Sequence, residues 1–320
     1  MRERTAVALP RQKQPKIKPK LSKLARREAM WGYTFITPGT LGVIVFTLFP
    51  LLFSFVMSFT DWSMLSDPNF LGFKNYIELF QDETVGKEFR NTFIYAFGTA
   101  PIGVFISLVL ATLMNTKIKG RSFYRVVYFL PYVSMPAAIT IVWQWMLNSE
   151  TGLVNAIISA LGFEKIPFMS DPNWIMPVMI FISIWQMIGY NMIILLAGLQ
   201  NIPQTYYEAA RVDGAGPVKQ FFKITIPIVS PTLFFLMIIS FINSFKAFDV
   251  VYMIVGAHAI TGGGPLADAS RTVVYGIYER SFIELRMGYA AAEAVILFFI
   301  ILALTFIQFK LQNKWVHYDD

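Results

Sequence analysis

The chain has 320 residues, of which 55% are hydrophobic and 15% are charged, and its formal net charge at pH 7 is +7. A water-soluble domain with so many apolar residues would expose large apolar patches, so the composition argues against a soluble enzyme or binding module. There is no cysteine, which excludes a disulfide, a thiolate metal site and a cysteine nucleophile.

The N-terminal segment, residues 1–29, is basic and carries ten Lys and Arg. We expect it to be unfolded as far as residue 20, because it is rich in Lys, Gln and Pro and poor in large apolar side chains. One interpretation of this positive charge is that the segment binds nucleic acid. The favoured interpretation is a topology signal that contacts anionic lipid headgroups. The apolar run after it is too long for a cleaved signal peptide, so we predict a retained membrane anchor.

Six apolar stretches of helix length follow. Four contain no charged residue over 24 to 29 positions, and the two shorter ones extend past a single charged position into a full span. A helix of about 20 apolar residues crosses a bilayer, so the sequence predicts an all-α membrane protein with six transmembrane helices. The uncharged runs are 31–59, 91–116, 126–149, 174–199, 224–245 and 294–309.

Basic residues are divided unequally between the two sides of this bundle. Of the 27 Lys and Arg, 19 lie in the N-terminal segment, 117–125, 200–223 and the C-terminus, whereas seven lie on the other side. Positively charged flanks stay in the cytoplasm. We therefore predict that both termini are cytoplasmic, with a six-span domain over 30–315 and a short C-terminal tail over 316–320.

A polar stretch, YYEAARVDGAGPVKQFFKITIP, separates the fourth predicted span from the fifth at residues 206–227. Thr205 and Glu208 have the spacing of a capping box, which predicts a helix over 206–213 with Thr205 as its N-cap. Alternatively, Pro203 is the first helical residue, a position that proline favours.

Glycine ends this predicted helix and begins the next. Gly214 is a natural left-handed residue at a helix C-terminus, and Gly216-Pro217 suits the start of a second short helix. Small side chains, including Ala209 and Ala210, make the first helix slender enough for a partner's cleft. From these residues alone, a docking helix and an ordinary amphipathic connector both remain open.

The order of the motifs resembles the EAA loop of ATP-binding-cassette (ABC) importer permeases, here residues 200–227. Further matches are AGLQNIP at 197–203, TGGGP at 261–265 and GYAAA at 288–292, which resemble the carbohydrate-importer family of maltose-type permeases. Ile226 departs mildly from this pattern, and 256–260 looks like a small insertion. The residues that carry the resemblance are Glu208, Ala209, Ala210, Asp213, Gly214, Ala215, Phe222, Ile224 and Pro227. The candidate residues for coupling to the ATPase are Glu208, Ala209, Ala210, Asp213, Gly214, Ala215 and Gly216.

This resemblance implies a type I importer permease in a bacterial plasma (inner) membrane. Such permeases form a two-subunit core, often from two different chains, while two ATPase subunits bind ATP and Mg beneath it. An extracellular solute-binding protein delivers the sugar, and the EAA helix couples the permease to the ATPases. The resemblance therefore implies a non-catalytic subunit without a cofactor of its own, and the chain carries no phosphate-loop signature for ATP.

Polar residues inside the spans are the candidates for a substrate path. By the resemblance, the fourth and fifth spans line the cavity near Tyr190, Ser240 and Ser244. The alternative is that each polar group forms hydrogen bonds within the bundle. Lys246 and Asp249 have the spacing to pair on one helix face, and Glu293 is expected near solvent at the outer end of the last span. The full candidate set is Gln186, Tyr190, Asn191, Ser240, Asn243, Ser244 and Lys246.

Alternative functions remain open on the sequence. The same architecture serves other solutes such as glycerol phosphate, whereas the EAA-like loop argues against a channel or a secondary transporter. We expect no metal site, because His258 and His317 lie on opposite predicted sides of the membrane. We also expect no catalytic residues in this chain.

Overall fold

The structure, a computed structural model, describes residues 22–116, 118–259 and 264–317, without the side chains of 257–259. The predictions for the basic tail up to residue 21 and for residues 261–263 of the TGGGP motif lie outside the described residues. So do the end of the C-terminal tail and Ile260, the last residue of the apparent insertion at 256–260. The chain divides into two compact units, residues 1–53 and residues 54–320.

Helices form almost all of the described chain. Short π-helical turns continue three of them, at Ile44–Leu48, Phe221–Thr225 and Glu279–Ile283. The α-helices are α1 (Lys23–Val43), α2 (Phe49–Met57), α3 (Lys74–Gln81), α4 (Glu83–Met114), α5 (Arg121–Val133), α6 (Pro136–Met146), α7 (Leu153–Ala160), α8 (Pro172–Gln200), α9 (Gln204–Val212), α10 (Pro217–Gln220), α11 (Ile226–Phe245), α12 (Asp249–Ala259), α13 (Pro265–Ser270), α14 (Val273–Tyr278) and α15 (Met287–Trp315).

Among the described residues, five helical stretches are long and apolar enough to cross a membrane, and a bent pair of helices supplies a sixth candidate. The five correspond to predicted spans one, two, four, five and six. They are Lys23–Met57, Glu83–Met114, Pro172–Gln200, Pro217–Gly256 and Met287–Trp315.

The third predicted span is not the single helix expected over 126–149. α5 and α6 meet at 99°. Ser134 and Met135 are extended, and Pro136 is the first residue of α6. Proline disfavours helical backbone in the residue before it, so the helix stops and restarts in a new direction.

In the second unit, α4, α8 and α11 pack together and α5 crosses α8. Two hydrophobic clusters lie at opposite ends of α8. One surrounds Ile175–Ile182 with residues of α6 and α12, and the other surrounds Met192–Leu199 with residues of α4 and α11. Between these two stretches, α8 carries the polar residues Ser183, Gln186 and Asn191.

Candidate functional site

A cavity of about 190 Å³ opens between these two clusters, at the middle of α4, α8 and α11. Lys246 does not line it, because this residue caps the C-terminus of α11 and is exposed. The other six candidate residues of the substrate path all line it: Gln186, Tyr190, Asn191, Ser240, Asn243 and Ser244.

Two tyrosine rings form an aromatic wall of the cavity. Tyr132 of α5 stacks on Tyr190 of α8, with 4.5 Å between ring centroids and 16° between the ring planes. Gly189 makes this stack possible, because a Cβ there would lie 1.9 Å from the carbonyl oxygen of Tyr128. Only a residue without a side chain lets α5 approach α8 this closely.

Polar groups of α4 complete the cavity. The hydroxyls of Tyr95 and Ser183 lie 2.6 Å apart, which links α4 to α8 by a hydrogen bond. Asn191 is only 2% exposed, yet its Nδ2 finds no acceptor among the described residues, and the hydroxyl of Thr99 is also buried and unpaired. Buried polar groups normally have partners, so these two unpaired atoms are exceptions among the residues that line the cavity.

The sequence prediction missed Tyr95, Thr99, Tyr132 and Ser183. Tyr95 and Thr99 are four residues apart on α4, and Ser183 is seven residues before Tyr190 on α8, so each pair shares a helix face. This spacing is visible in the sequence. It does not reveal which face of the second predicted span turns towards the fourth.

The charge of the cavity is negative. Asp249, the first residue of α12, lines it, whereas no Lys or Arg does within the described chain. The predicted pairing of Asp249 with Lys246 on one helix face is wrong. α11 ends at Phe245 and α12 begins at Asp249, so the two residues flank a break in the helix and form no ion pair within 4.0 Å.

The EAA-like stretch forms two helices joined by a tight bend. α9 begins at Gln204 with Pro203 as its N-cap, and no side chain caps it. The predicted capping box of Thr205 and Glu208 is therefore wrong, as is the placement of Pro203 inside the helix. Proline at 203 holds the extended backbone that an N-cap needs, so the helix begins before Thr205 can act as a cap.

The bend itself follows the sequence prediction. Gly214 has a φ of +75°, in the left-handed region. The amide of Ala215 donates to the carbonyl oxygen of Ala210 at 2.8 Å, the bond that closes a Schellman-type helix end. Gly216 is the N-cap of α10 and Pro217 its first residue, as predicted.

Side-chain bonds attach this bend to the transmembrane helix that follows. The hydroxyls of Tyr207 and Thr225 lie 3.0 Å apart, and Gln220 donates to the carbonyl oxygen of Ala215 at 2.7 Å. The opposite surface is open, and Val212 is 89% exposed at its tip. Of the candidate coupling residues, Ala210 and Ala215 are half-buried, and those exposed are Glu208, Ala209, Asp213, Gly214 and Gly216.

Glu293 is not solvated, contrary to the sequence prediction. It is fully buried in α15, where its Oε2 lies 3.0 Å from Nη1 of Arg280. The same nitrogen lies 2.8 Å from Oε2 of Glu88, which is 1% exposed on α4. Burial opposes the charge of Arg280, but Glu293 and Glu88 together hold its pKa above the ordinary value. Glu293 thus belongs to a buried ion cluster that joins two long helices.

Comparisons with known proteins agree with this architecture. Residues 92–317 match the family described as binding-protein-dependent transport system inner membrane component. The chain is 35% identical over 306 residues to a probable ABC transporter permease protein, YesP of Bacillus subtilis, covering 94% of this chain and 96% of that one. It is 34% identical over 290 residues to the sn-glycerol-3-phosphate transport system permease protein UgpA of Yersinia pestis, covering 90% and 95%.

A solved structure shares the fold. It is a bacterial alginate ABC transporter in complex with an alginate pentasaccharide-bound periplasmic protein. One of its chains superposes with a TM-score of 0.79 at 21% identity, covering 91% of this chain and 96% of that one. At this identity the likeness concerns the fold alone.

Proposed function

Because the chain belongs to the family of binding-protein-dependent transport system inner membrane components, we propose that its central cavity is the path by which a sugar or oligosaccharide crosses the membrane. As an ABC transporter permease, the chain is a multi-spanning, non-catalytic member of its transporter. The observation that carries the proposal is the cavity between the two hydrophobic clusters, with its stacked tyrosines and unpaired buried polar groups.

The chemistry of the cavity suits a carbohydrate. A sugar presents hydroxyl groups and apolar C–H faces, so its site needs hydrogen-bonding side chains and aromatic surfaces together. Asn191 and Thr99 offer buried polar atoms that the described protein leaves unpaired, and Tyr190 offers a ring supported from behind by Tyr132. A sugar in this cavity would satisfy the two buried groups.

An anionic solute is the second candidate, because relatives such as UgpA are named for sn-glycerol-3-phosphate. A phosphate in an apolar bundle needs a cation or several donors nearby. The described lining of this cavity contributes Asp249 and no Lys or Arg. The charge therefore favours an uncharged carbohydrate over glycerol phosphate.

The proposal includes partner subunits. This cavity is smaller than the 300–1,000 Å³ or so of typical ligand sites, which supports a second permease subunit that completes it. Two ATPase subunits, which would bind ATP and Mg, lie beneath the pair of permeases, and one of them docks on α9 of this chain through the exposed residues around Glu208 and Asp213. An extracellular solute-binding protein delivers the sugar, and both termini lie in the cytoplasm of a bacterium.

Asn191→Leu tests the path without removing any bond that the described protein makes. A buried group without a partner costs free energy, so its apolar replacement leaves the assembled importer as stable as before or more stable. Loss of one hydrogen bond to the sugar costs about 0.5–1.5 kcal/mol, which raises the KM for uptake about two- to tenfold. Uptake by the reconstituted importer with its binding protein measures this change.

Ser107→Ala is the matched control. Ser107 is buried, but it donates to the carbonyl oxygen of Gly103 on α4 and does not line the cavity. The substitution Ser107→Ala should leave the KM for uptake unchanged. The same assay with sn-glycerol 3-phosphate and with neutral oligosaccharides separates the two candidate solutes. Unchanged kinetics in both Asn191→Leu and Thr99→Val would remove the cavity from the transport path.

A further inference from the structure

Two arginines of α5 converge on one amide at the end of the bundle that carries α9. Arg121 and Arg125 lie one helical turn apart, and Gln200 is the last residue of α8. With the amide oxygen of Gln200 turned towards them, it accepts from Nη2 of Arg121 at 2.7 Å and from Nη2 of Arg125 at 3.3 Å. Both guanidinium groups therefore share a single neutral oxygen.

This arrangement leaves two positive charges without a counter-charge. Within the described chain, no carboxylate lies within 4.0 Å of either arginine, and the Nε atoms of both are buried and unpaired. Arg121 is also the first residue of α5, whose N-terminus has no side-chain cap. The N-terminus of a helix adds further positive potential. Like charges held together in a partly buried place attract an anion.

The surroundings of the pair are apolar and exposed. Along the outward face of α5, beyond the arginines, lie large hydrophobic side chains that contact nothing in the described unit over much of their surface. They are Phe123, Val126, Val127, Leu130 and Val133. A cationic patch beside such a face matches a molecule with an anionic head and hydrocarbon chains.

We propose that Arg121, Arg125 and Gln200 bind the phosphate of an anionic phospholipid. Guanidinium groups present planar pairs of donors that fit phosphate oxygens, and two of them neutralise one headgroup. Basic pockets between transmembrane helices are suited to such headgroups. The acyl chains lie along the apolar face of α5. The lipid links α5 to the end of α8, four residues before α9 begins, and this inference does not depend on which solute is transported.

The test measures lipid binding to the whole importer complex. The purified, delipidated complex is titrated with phosphatidylglycerol or with phosphatidylcholine, and bound lipid is counted by native mass spectrometry. In the double variant Arg121→Gln, Arg125→Gln, we expect the affinity for phosphatidylglycerol to fall about tenfold or more. Binding of phosphatidylcholine should be the same as in the wild type.

A second double variant, Lys119→Gln, Lys314→Gln, removes the same number of charges from exposed positions outside the site. It should keep the wild-type affinity for phosphatidylglycerol. An equal loss in both variants would mean diffuse attraction to the basic surface and would overturn the site, as would full affinity in the arginine variant.

Two further measurements distinguish a phospholipid from a soluble anion and from a protein partner. Inorganic phosphate is titrated into the delipidated complex, and a rise in melting temperature as large as that given by phosphatidylglycerol would assign the site to a soluble anion instead. If the arginine variant keeps its lipid but loses ATPase subunits during purification, the arginines belong to a protein interface. Either result would overturn the lipid assignment.

Discussion

Arg280 is held between two carboxylates from helices that are distant in the sequence. Glu88 on α4 and Glu293 on α15 both bind its Nη1. A neighbouring pair, Arg271 and Glu279, flanks the cluster, and Nε of Arg271 lies 3.9 Å from Oε1 of Glu88. Such a cluster contributes more to specifying one arrangement of the helices than to net stability, because burying each charge is costly.

Arg280→Met should destabilise the protein strongly. It leaves Glu88 and Glu293 facing each other in a buried place without the guanidinium that both bind. Removal of one partner from a buried ion pair costs about 3–5 kcal/mol. The thermal unfolding of the purified complex should therefore begin at a clearly lower temperature than in the wild type.

Arg286→Met is the control for this change. Arg286 pairs with Glu78, but both side chains are more than two-fifths exposed, and exposed pairs contribute about 0–1 kcal/mol. If the two variants unfold at the same temperature, the buried cluster does not stabilise the bundle. A double variant, Arg280→Met with Glu293→Leu, should recover part of the loss because fewer charges stay buried.

Glu293 shows where residue-level prediction from sequence stops. It lies near one end of the last span, as expected, in the second turn of α15. Its partner Arg280 is 13 residues earlier, and Glu88 is on another long helix. No local pattern connects the three. Their pairing depends on how α4 packs beside α15, which is tertiary information.

At the scale of one element, α9 and its bend follow from local chemistry. Glycine at 214 predicted the left-handed turn, and Pro217 predicted the start of α10. The N-terminus of α9 was predicted wrongly because two start signals compete there. Pro203 is the N-cap, so the helix begins before Thr205, the N-cap of the predicted capping box. Helix boundaries of this kind are decided by local competition and not by the hydrophobic pattern.

Gly214→Val should impair coupling without removing any contact residue. A β-branched residue at a φ of +75° is strained by about 1–3 kcal/mol, so the bend should shift and α9 should be misdirected. Uptake is expected to fall, while insertion of the permease continues because the apolar spans are untouched. Co-purification of the ATPase subunits, and ATP hydrolysis with and without loaded binding protein, measure the effect.

Gly214→Asn is the matched variant, because asparagine tolerates left-handed backbone far better than valine. A Cβ at this position meets no atom within 4 Å, so space is not the cause of any difference between the two. Asn should retain most of the ATPase association. If Gly214→Val keeps full association with the ATPase subunits and full stimulation of ATP hydrolysis by loaded binding protein, residues 200–227 are only a connector.

Local signals did not predict which proline of the third predicted span would separate α5 from α6. Pro131 and Pro136 were both visible, and prolines are tolerated inside membrane helices when neighbours satisfy the freed backbone groups. The structure keeps Pro131 inside α5 and uses Pro136 to begin a new helix. The difference arises from packing, since the close crossing at Gly189 fixes the direction of α5.

For the molecule as a whole, composition and run length were enough to predict an all-helical membrane protein. The arrangement of its helices was not. Six of the seven substrate-path candidates surround one cavity because polar residues in the middle of an apolar span avoid lipid. Tyr95, Thr99 and Tyr132 also line this cavity, but they do so because of which helices are neighbours in the fold. A single sequence does not contain that pairing.

The distribution of basic residues makes one prediction about the entire molecule. With 19 of the 27 Lys and Arg on one side, the end of the bundle that carries Lys119 and α9 should face the cytoplasm. The chain has no cysteine, so a single introduced cysteine is the only thiol it contains. Ser66 and Lys119 are exposed positions on opposite predicted sides.

Ser66→Cys should react with a membrane-impermeant maleimide added to spheroplasts, whereas Lys119→Cys should react only after the membrane is opened. Val212→Cys, at the exposed tip of α9, should behave like Lys119→Cys in the permease alone and should be protected when the ATPase subunits are co-expressed. Protection of Val212→Cys would support both the cytoplasmic position of α9 and the docking of the ATPase subunits on it, because these subunits would reach α9 only from the cytoplasm. Reaction of Lys119→Cys or Val212→Cys from outside would invert the topology, and α9 could then not be the coupling helix.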